Sequence, residues 1–155
     1  MGREIERKFL VKGEAWKSLA PAVDYRQGYL RTTGATVRVR IAGQKGFLTI
    51  KGPTQGIGRS EFEYGIPVED ARELLDTLCA RPQIEKRRRR ITVGRHVWEV
   101  DEFLAENAGL VVAEIELASE DEAFEKPEWV GEEVSHDRRY ANSMLAEQPY
   151  STWGR

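Results

Sequence analysis

The sequence predicts a mainly β domain of the α+β class, an eight-stranded antiparallel β-barrel with a charged lumen and a few helices packed outside. Three observations lead there. Apolar and polar residues alternate with period two along successive short segments, as in strands with one buried face. Turn residues separate those segments at short intervals, which favours antiparallel neighbours. The polar positions of the alternation are nearly all ionisable, whereas a face that meets only water usually mixes in Thr, Ser and Gln.

Residues 4–12, 25–32, 35–42, 46–51, 58–67, 84–93, 96–103 and 110–118 read as the strands. Thr33-Gly34, Gly43-Gln44-Lys45, Gly52-Pro53, Gly94-Arg95 and Asn107-Ala108-Gly109 punctuate them. Helical pieces are few. Residues 68–79 carry Ala71, Leu74, Leu75 and Leu78 at helical spacing, an amphipathic stripe. Short helices are expected at 14–19 and 142–146, and a capping-box pattern of Ser119 and Glu122 predicts another over 120–125.

Length and composition set the frame. The 155 residues suit one domain, expected to span residues 1–155. With 40% hydrophobic residues the chain can build a core, yet no strictly apolar run exceeds Leu110–Ala113, so no membrane partner is expected and a cytoplasmic location is. One cysteine, Cys79, excludes an intrachain disulfide and a multi-cysteine metal site. Twenty-four Lys and Arg against 26 Asp and Glu leave a net charge of -2, unlike a chain built to hold a nucleic-acid backbone.

Strand parity assigns the charges to faces. Glu4, Glu6 and Lys8 share one face of the first strand, Arg38 and Arg40 one of the third, and Lys51 ends the fourth. Glu61 and Glu63 oppose Phe62 and Tyr64; Lys86, Arg88 and Arg90 are in phase; Glu99 and Asp101 oppose Trp98 and Val100; Glu114 and Glu116 oppose Ile115 and Leu117. Same-face neighbours lie ~6.5–7 Å apart, and most of these sets are of one sign, so each repels its neighbour. Clusters of like charge are tolerable when ions of opposite sign sit among them. The pattern implies an inverted barrel, polar inside, holding water and ligand, because dry burial of unpaired ions costs several kcal/mol each.

Oxygen donors without cysteine match a hard divalent cation such as Mg²⁺ or Mn²⁺. The cations match a multiply charged anion, and the planar fork of Arg matches phosphate oxygens. Carboxylates, metal and an Arg/Lys cluster together are the equipment of phosphoryl transfer.

The same residues resemble the CYTH domain, or triphosphate tunnel metalloenzyme, family. Its E-x-E-x-K hallmark stands as Glu4-Ile5-Glu6-Arg7-Lys8, and the likeness continues through Gln27-Gly28-Tyr29-Leu30, Arg38-Val39-Arg40, Thr49-Ile50-Lys51-Gly52, Glu61-Phe62-Glu63, Trp98-Glu99-Val100-Asp101 and Glu114-Ile115-Glu116-Leu117. The resemblance implies a triphosphate tunnel that hydrolyses triphosphates with Mg²⁺ or Mn²⁺. It implies metal at Glu4, Glu6, Glu114 and Glu116 with Asp101 and Glu63 close by, and phosphates at Lys8, Arg38, Arg40, Lys51, Lys86 and Arg88. Glu4, Glu6 and Lys8 would serve the reaction itself, Lys8 by orienting or deprotonating the attacking water. Short members of similar architecture act on inorganic triphosphate; others hydrolyse nucleoside or thiamine triphosphate or cyclise ATP. A noncatalytic polyphosphate- or nucleotide-binding module is the reading from another class, disfavoured because an anion binder needs the cations and not the acids.

One departure is visible: members commonly carry Lys-x-Arg-Tyr where this chain has Lys86-Arg87-Arg88-Arg89-Arg90, which turns Arg87 and Arg89 outward, against a helix or solvent. Glu61 and Glu99 are further inward candidates, and Tyr29 stands open between substrate contact and packing. No ligand spacing joins His96 and His136, and the tryptophans are expected on the outer shell. Asp137-Arg138-Arg139-Tyr140 resembles a family segment that closes the tunnel. Pairing of two barrels into a homodimer through an exposed apolar flank stays open.

Overall fold

The alternating segments form one antiparallel sheet in a computed structural model that describes residues 5–53 and 60–154. Its strands are β1 (Ile5–Val11), β2 (Val23–Leu30), β3 (Thr36–Ala42), β4 (Lys45–Lys51), β5 (Glu61–Ile66), β6 (Ile84–Val93), β7 (His96–Phe103), β8 (Val111–Leu117) and β9 (Val130–Glu133), with helices α1 (Val68–Thr77) and α2 (Asn142–Glu147). They are ordered β5-β4-β3-β2-β6-β7-β8-β1-β9. The sheet curls so far that residues of β1 to β8 line a single cavity of about 460 Å³. The barrel-like tunnel is therefore present, with two amendments: it has a ninth strand, and its ladder leaves β5 and β9 as edges among the described residues.

Parity holds throughout. Phe9, Ile91, Trp98, Val100, Ala113, Ile115 and Leu117, all on the face opposite the charges, pack outside the barrel beneath Trp16, Trp129 and Val130. Trp98 stacks edge-on with Phe9 and Trp129 at centroid distances of 5.5 and 5.8 Å. On the other side α1 lays Ala71 and Leu75 over Val39. Gly46 permits that approach, since a Cβ there would lie 2.9 Å from the Cβ of Ala71 and 2.9 Å from the Ile66 carbonyl.

The inward face is not charged along its whole length. Each of four adjacent strands runs from ionisable to apolar in the same direction: Glu6, Lys8, Leu10 on β1; Glu116, Glu114, Val112 on β8; Glu99, Asp101, Phe103 on β7; Arg90, Arg88, Lys86, Ile84 on β6. Their apolar ends meet Leu110, Val134, Tyr140, Leu145 and Ala146 in a core that fills one end of the barrel under α2.

Two further expectations change. Residues 120–125 form no helix: Glu122 accepts the Ala118 N–H at 2.6 Å and pairs with His96, so the capping-box contact closes a turn instead. The segment at 15–18 is a 3-10 helix that buries Trp16.

Candidate active site

The lumen is built from facing strands whose register sets charge against charge. Lys8 lies opposite Glu114 across β1 and β8, and Glu6 lies opposite Glu116, a like pair that repels. Glu99 faces Glu114 across β7 and β8. On the far wall Arg38 of β3 stands beside Thr49 of β4, which stands beside Glu63 of β5. Arg38 Nη2 donates to Thr49 Oγ1 at 3.2 Å, and Thr49 Oγ1 donates to Glu63 at 2.8 Å. Arg88 reaches Glu99 at 3.3 Å, Lys51 reaches Glu61 at 3.9 Å, and Lys8 Nζ lies 3.5 Å from Glu114 while donating to the Tyr140 carbonyl at 3.3 Å.

Glu6, Lys8, Tyr29, Arg38, Arg40, Lys51, Glu61, Glu63, Arg88, Glu99, Glu114 and Glu116 all line the cavity, so the structure brings these predicted residues together. Two others it places elsewhere. Lys86 is fully buried and Asp101 is 2% exposed, just beneath the lining, where Lys86 donates to Asp101 Oδ2 at 2.7 Å. Arg88 forks onto the same carboxylate, Nε to Oδ1 at 2.7 Å and Nη2 to Oδ2 at 2.9 Å. Both Asp101 oxygens are thus taken by cations, and its observed work is to seat Lys86 and Arg88. Glu4 lies outside the described residues.

The electrostatics follow from the crowding. Glu6 is open to the water of the lumen yet ringed by protein; that enclosure and the neighbouring Glu114 and Glu116 carboxylates push it up to about 8, against the pull of Lys8. Burial works the same way on Glu114, but the Lys8 and Lys86 charges and a hydrogen bond with Glu6 together outweigh it and hold Glu114 low. Burial also raises the Asp101 carboxyl, and Lys86 with Arg88 overrides it, leaving an ionised group well below the usual range. Arg40 is drawn down to about 10 by burial and by the Arg38 and Arg88 charges. The three guanidiniums converge on the lumen and repel one another, which favours an anion among them.

The model of the CYTH domain family matches residues 2–146, and the chain covers that span with the strand order just described. The chain belongs to the CYTH domain family. This CYTH domain is 53% identical over 154 residues to an inorganic triphosphatase of Acetivibrio thermocellus, the match covering 99% of each chain. It is 38% identical over 149 residues to an inorganic triphosphatase of Nitrosomonas europaea, covering 92% of this chain and 96% of that one. Among solved structures, the crystal structure of an inorganic triphosphatase superposes with a TM-score of 0.69 at 37% identity, over 94% of this chain and 95% of that one.

The donor set of the CYTH domain fits a divalent cation in its chemistry. Glu6, Glu114 and Glu116 are hard oxygen donors whose charges act on one another, and a cation among them would relieve the repulsion that helps raise Glu6. Among the described residues no three acidic, imidazole or thiol side chains already converge as a ligand group, and Glu4, the partner expected in E-x-E, is outside them.

Sequence reasoning gave no role to three residues of the lumen wall, two of which, Gln27 and Thr49, it named only within the family likeness. Thr49, Gln27 and Asn142 are neutral, so a reading based on charge passed over them, although Thr49 and Gln27 lie on the inward parity of their strands. Asn142 could be found only from the fold, since it enters from the C-terminal segment. Of the arginine run, Arg87 and Arg89 do point outward: Arg89 lies over the Trp16 ring at 5.2 Å and pairs with Glu102 at 3.1 Å.

Proposed function

We propose that this CYTH domain is a hydrolase of phosphoric anhydrides that cleaves inorganic triphosphate into pyrophosphate and phosphate in the cytoplasm, as a single domain aided by a divalent cation, Mg²⁺ or Mn²⁺. The observation that carries the reading is one lumen holding Arg38, Arg40, Arg88, Lys8 and Lys51 beside Glu6, Glu114 and Glu116. A linear polyphosphate is small enough to lie along it and charged enough to need both walls. The likeness in sequence to inorganic triphosphatases supports the choice of substrate.

In this reading Arg38, Arg40 and Arg88 hold phosphate oxygens as guanidinium forks, while Lys51 guides one end as a point charge. Glu6, Glu114 and Glu116, with Glu4 and Glu63, would hold the cation, which when bound neutralises charge on the reacting phosphoryl group and favours a nucleophilic water. Lys8, fixed between Glu114 and the Tyr140 carbonyl, orients that water. Water oxygen then bonds to a terminal phosphorus in line with the bridging P–O bond, which breaks and releases pyrophosphate. Asp101 holds Arg88 and Lys86 in place beneath.

Initial rates on tripolyphosphate, ATP, thiamine triphosphate and pyrophosphate, with Mg²⁺, Mn²⁺ or EDTA, test the reading through released phosphate and cyclic AMP. Tripolyphosphate far ahead, without cyclic AMP and silenced by EDTA, is expected. Cyclic AMP with pyrophosphate as products would make the domain a cyclase, and binding without turnover would make it a polyphosphate-binding module.

A further inference from the structure

Two neutral amides stand among the charges of the lumen wall. Gln27, on β2 between Tyr25 and Tyr29, is completely buried. Its Oε1 accepts from Arg40 Nε at 2.8 Å, and its Nε2 donates to the Tyr29 hydroxyl oxygen at 3.2 Å and to Asn142 Oδ1 at 3.5 Å. Asn142, the first residue of α2, receives Lys86 Nζ on the same Oδ1 at 2.8 Å. Guanidinium and ammonium groups can only donate. Arg40 therefore requires the carbonyl oxygen of Gln27 on its side, and Lys86 requires the carbonyl oxygen of Asn142 on its side. The two cations settle both amide orientations independently, and the Gln27–Asn142 contact is consistent with both.

The consequence falls on the other atom of Asn142. Its Oδ1 is turned toward buried Lys86 and Gln27, so the planar amide carries Nδ2 away from them. Asn142 is partly accessible and lines the lumen cavity, and no hydrogen bond among the described residues engages Nδ2. A directional, uncharged N–H donor is thereby aimed into a chamber otherwise furnished with ions.

We infer that Asn142 is a further substrate-binding residue whose Nδ2 donates to a phosphate oxygen of the polyphosphate, with Gln27 as the residue that positions it. The inference rests on the polyphosphate reading of the lumen. It assigns the C-terminal segment a part in recognising substrate as well as in covering the barrel end. The competing role for Asn142 is a plain tether that accepts from Lys86 and holds α2 down.

The two roles separate on N142D. An aspartate keeps an oxygen for Lys86, so a tether survives, but it replaces the lumen-facing N–H with a carboxylate oxygen that repels phosphate. Tripolyphosphate is titrated into wild type, N142A and N142D in metal-free buffer by calorimetry, with the thermal midpoint of each variant recorded alongside. N142A is expected to bind about tenfold more weakly, the loss of one hydrogen bond to a charged acceptor. N142D is expected to bind about a hundredfold more weakly than wild type, while melting within a few degrees of it. Wild-type binding with N142D equal to or tighter than N142A would overturn the role of Asn142 alone. No binding by wild type would overturn the polyphosphate reading itself and the inference with it.

Discussion

At Asp101 one side chain decides whether several others can be charged. Lys86 and Arg88 are pressed against the apolar end of the barrel, with Lys86 Nζ 5.6 Å from the Phe103 ring centroid, and the carboxylate is what makes that position tolerable. Replacing Asp101 by Ala leaves two buried cations facing each other, so the domain should lose about 3–5 kcal/mol of stability in urea unfolding. An unchanged midpoint would mean that water already reaches this pair. Parity placed Asp101 inward correctly, but parity speaks only of faces. Depth along the barrel is set by where the inward residues turn apolar, at Leu10, Ile84, Phe103 and Val112, a boundary visible only once the strand registers align them. The neutral Gln27 and Asn142 were illegible for a different reason: an amide declares its role through its partners, and here those partners come from β3, β6 and the C-terminal segment.

Among the elements, β9 is the one that alternation did not foresee. Four residues following Trp129 are too few to show a period, and the strand exists because Val130 packs on the outer core and Glu133 clamps Arg7. That clamp is bidentate, Arg7 Nε and Nη2 donating to the two Glu133 oxygens at 2.9 and 2.6 Å, with Ser135 adding a third bond at 2.5 Å. The Arg7 hydrogen bonds hold the Glu133 carboxyl at about 2, below its ordinary 4.5. A depressed carboxyl contributes stability that is whole above pH 4.5 and lost as pH falls toward 2. The stability gap between wild type and Glu133→Gln should therefore close across that interval; a gap constant with pH would show that the clamp is not ionic. The strands β1 to β4 and β6 to β8 were legible because each has a buried or half-buried face to alternate, and β5 because Glu61 and Glu63 alternate with Phe62 and Tyr64, whereas the supposed helix at 120–125 was not stable against the local pull of Glu122 toward the Ala118 N–H and His96.

For the molecule as a whole, the lumen is an unfavourable place that its ligands make favourable. Glu6 raised to about 8 means that, without a cation, ionising this carboxylate opposes folding, a penalty absent below pH 4.5 and complete above about 8. Mg²⁺ or Mn²⁺ should accordingly raise the thermal midpoint at pH 8, by the equivalent of about 2.7 kcal/mol at a hundred times the dissociation constant. Glu6→Gln should melt higher than wild type in EDTA and gain less from the cation. A midpoint indifferent to metal in both proteins would remove Glu6 from the metal site. No described helix is long and apolar enough to cross a bilayer.

The edges β5 and β9, unjoined among the described residues, give the chamber a mechanical character. A fully closed ladder fixes its own circumference, because every strand is bolted to two neighbours. Here the circumference ends on β5, whose Phe62 and Tyr64 are each 55% exposed, and the span across the opening is set by the stiffness of the sheet and by whatever lies between Glu63 and Glu6. In the proposed function, a polyphosphate held by Arg38 on one wall and by Lys8 on the other would act as a tie rod between them. On that reading a filled chamber would be held at a fixed width, and cleavage of the chain would remove the tie.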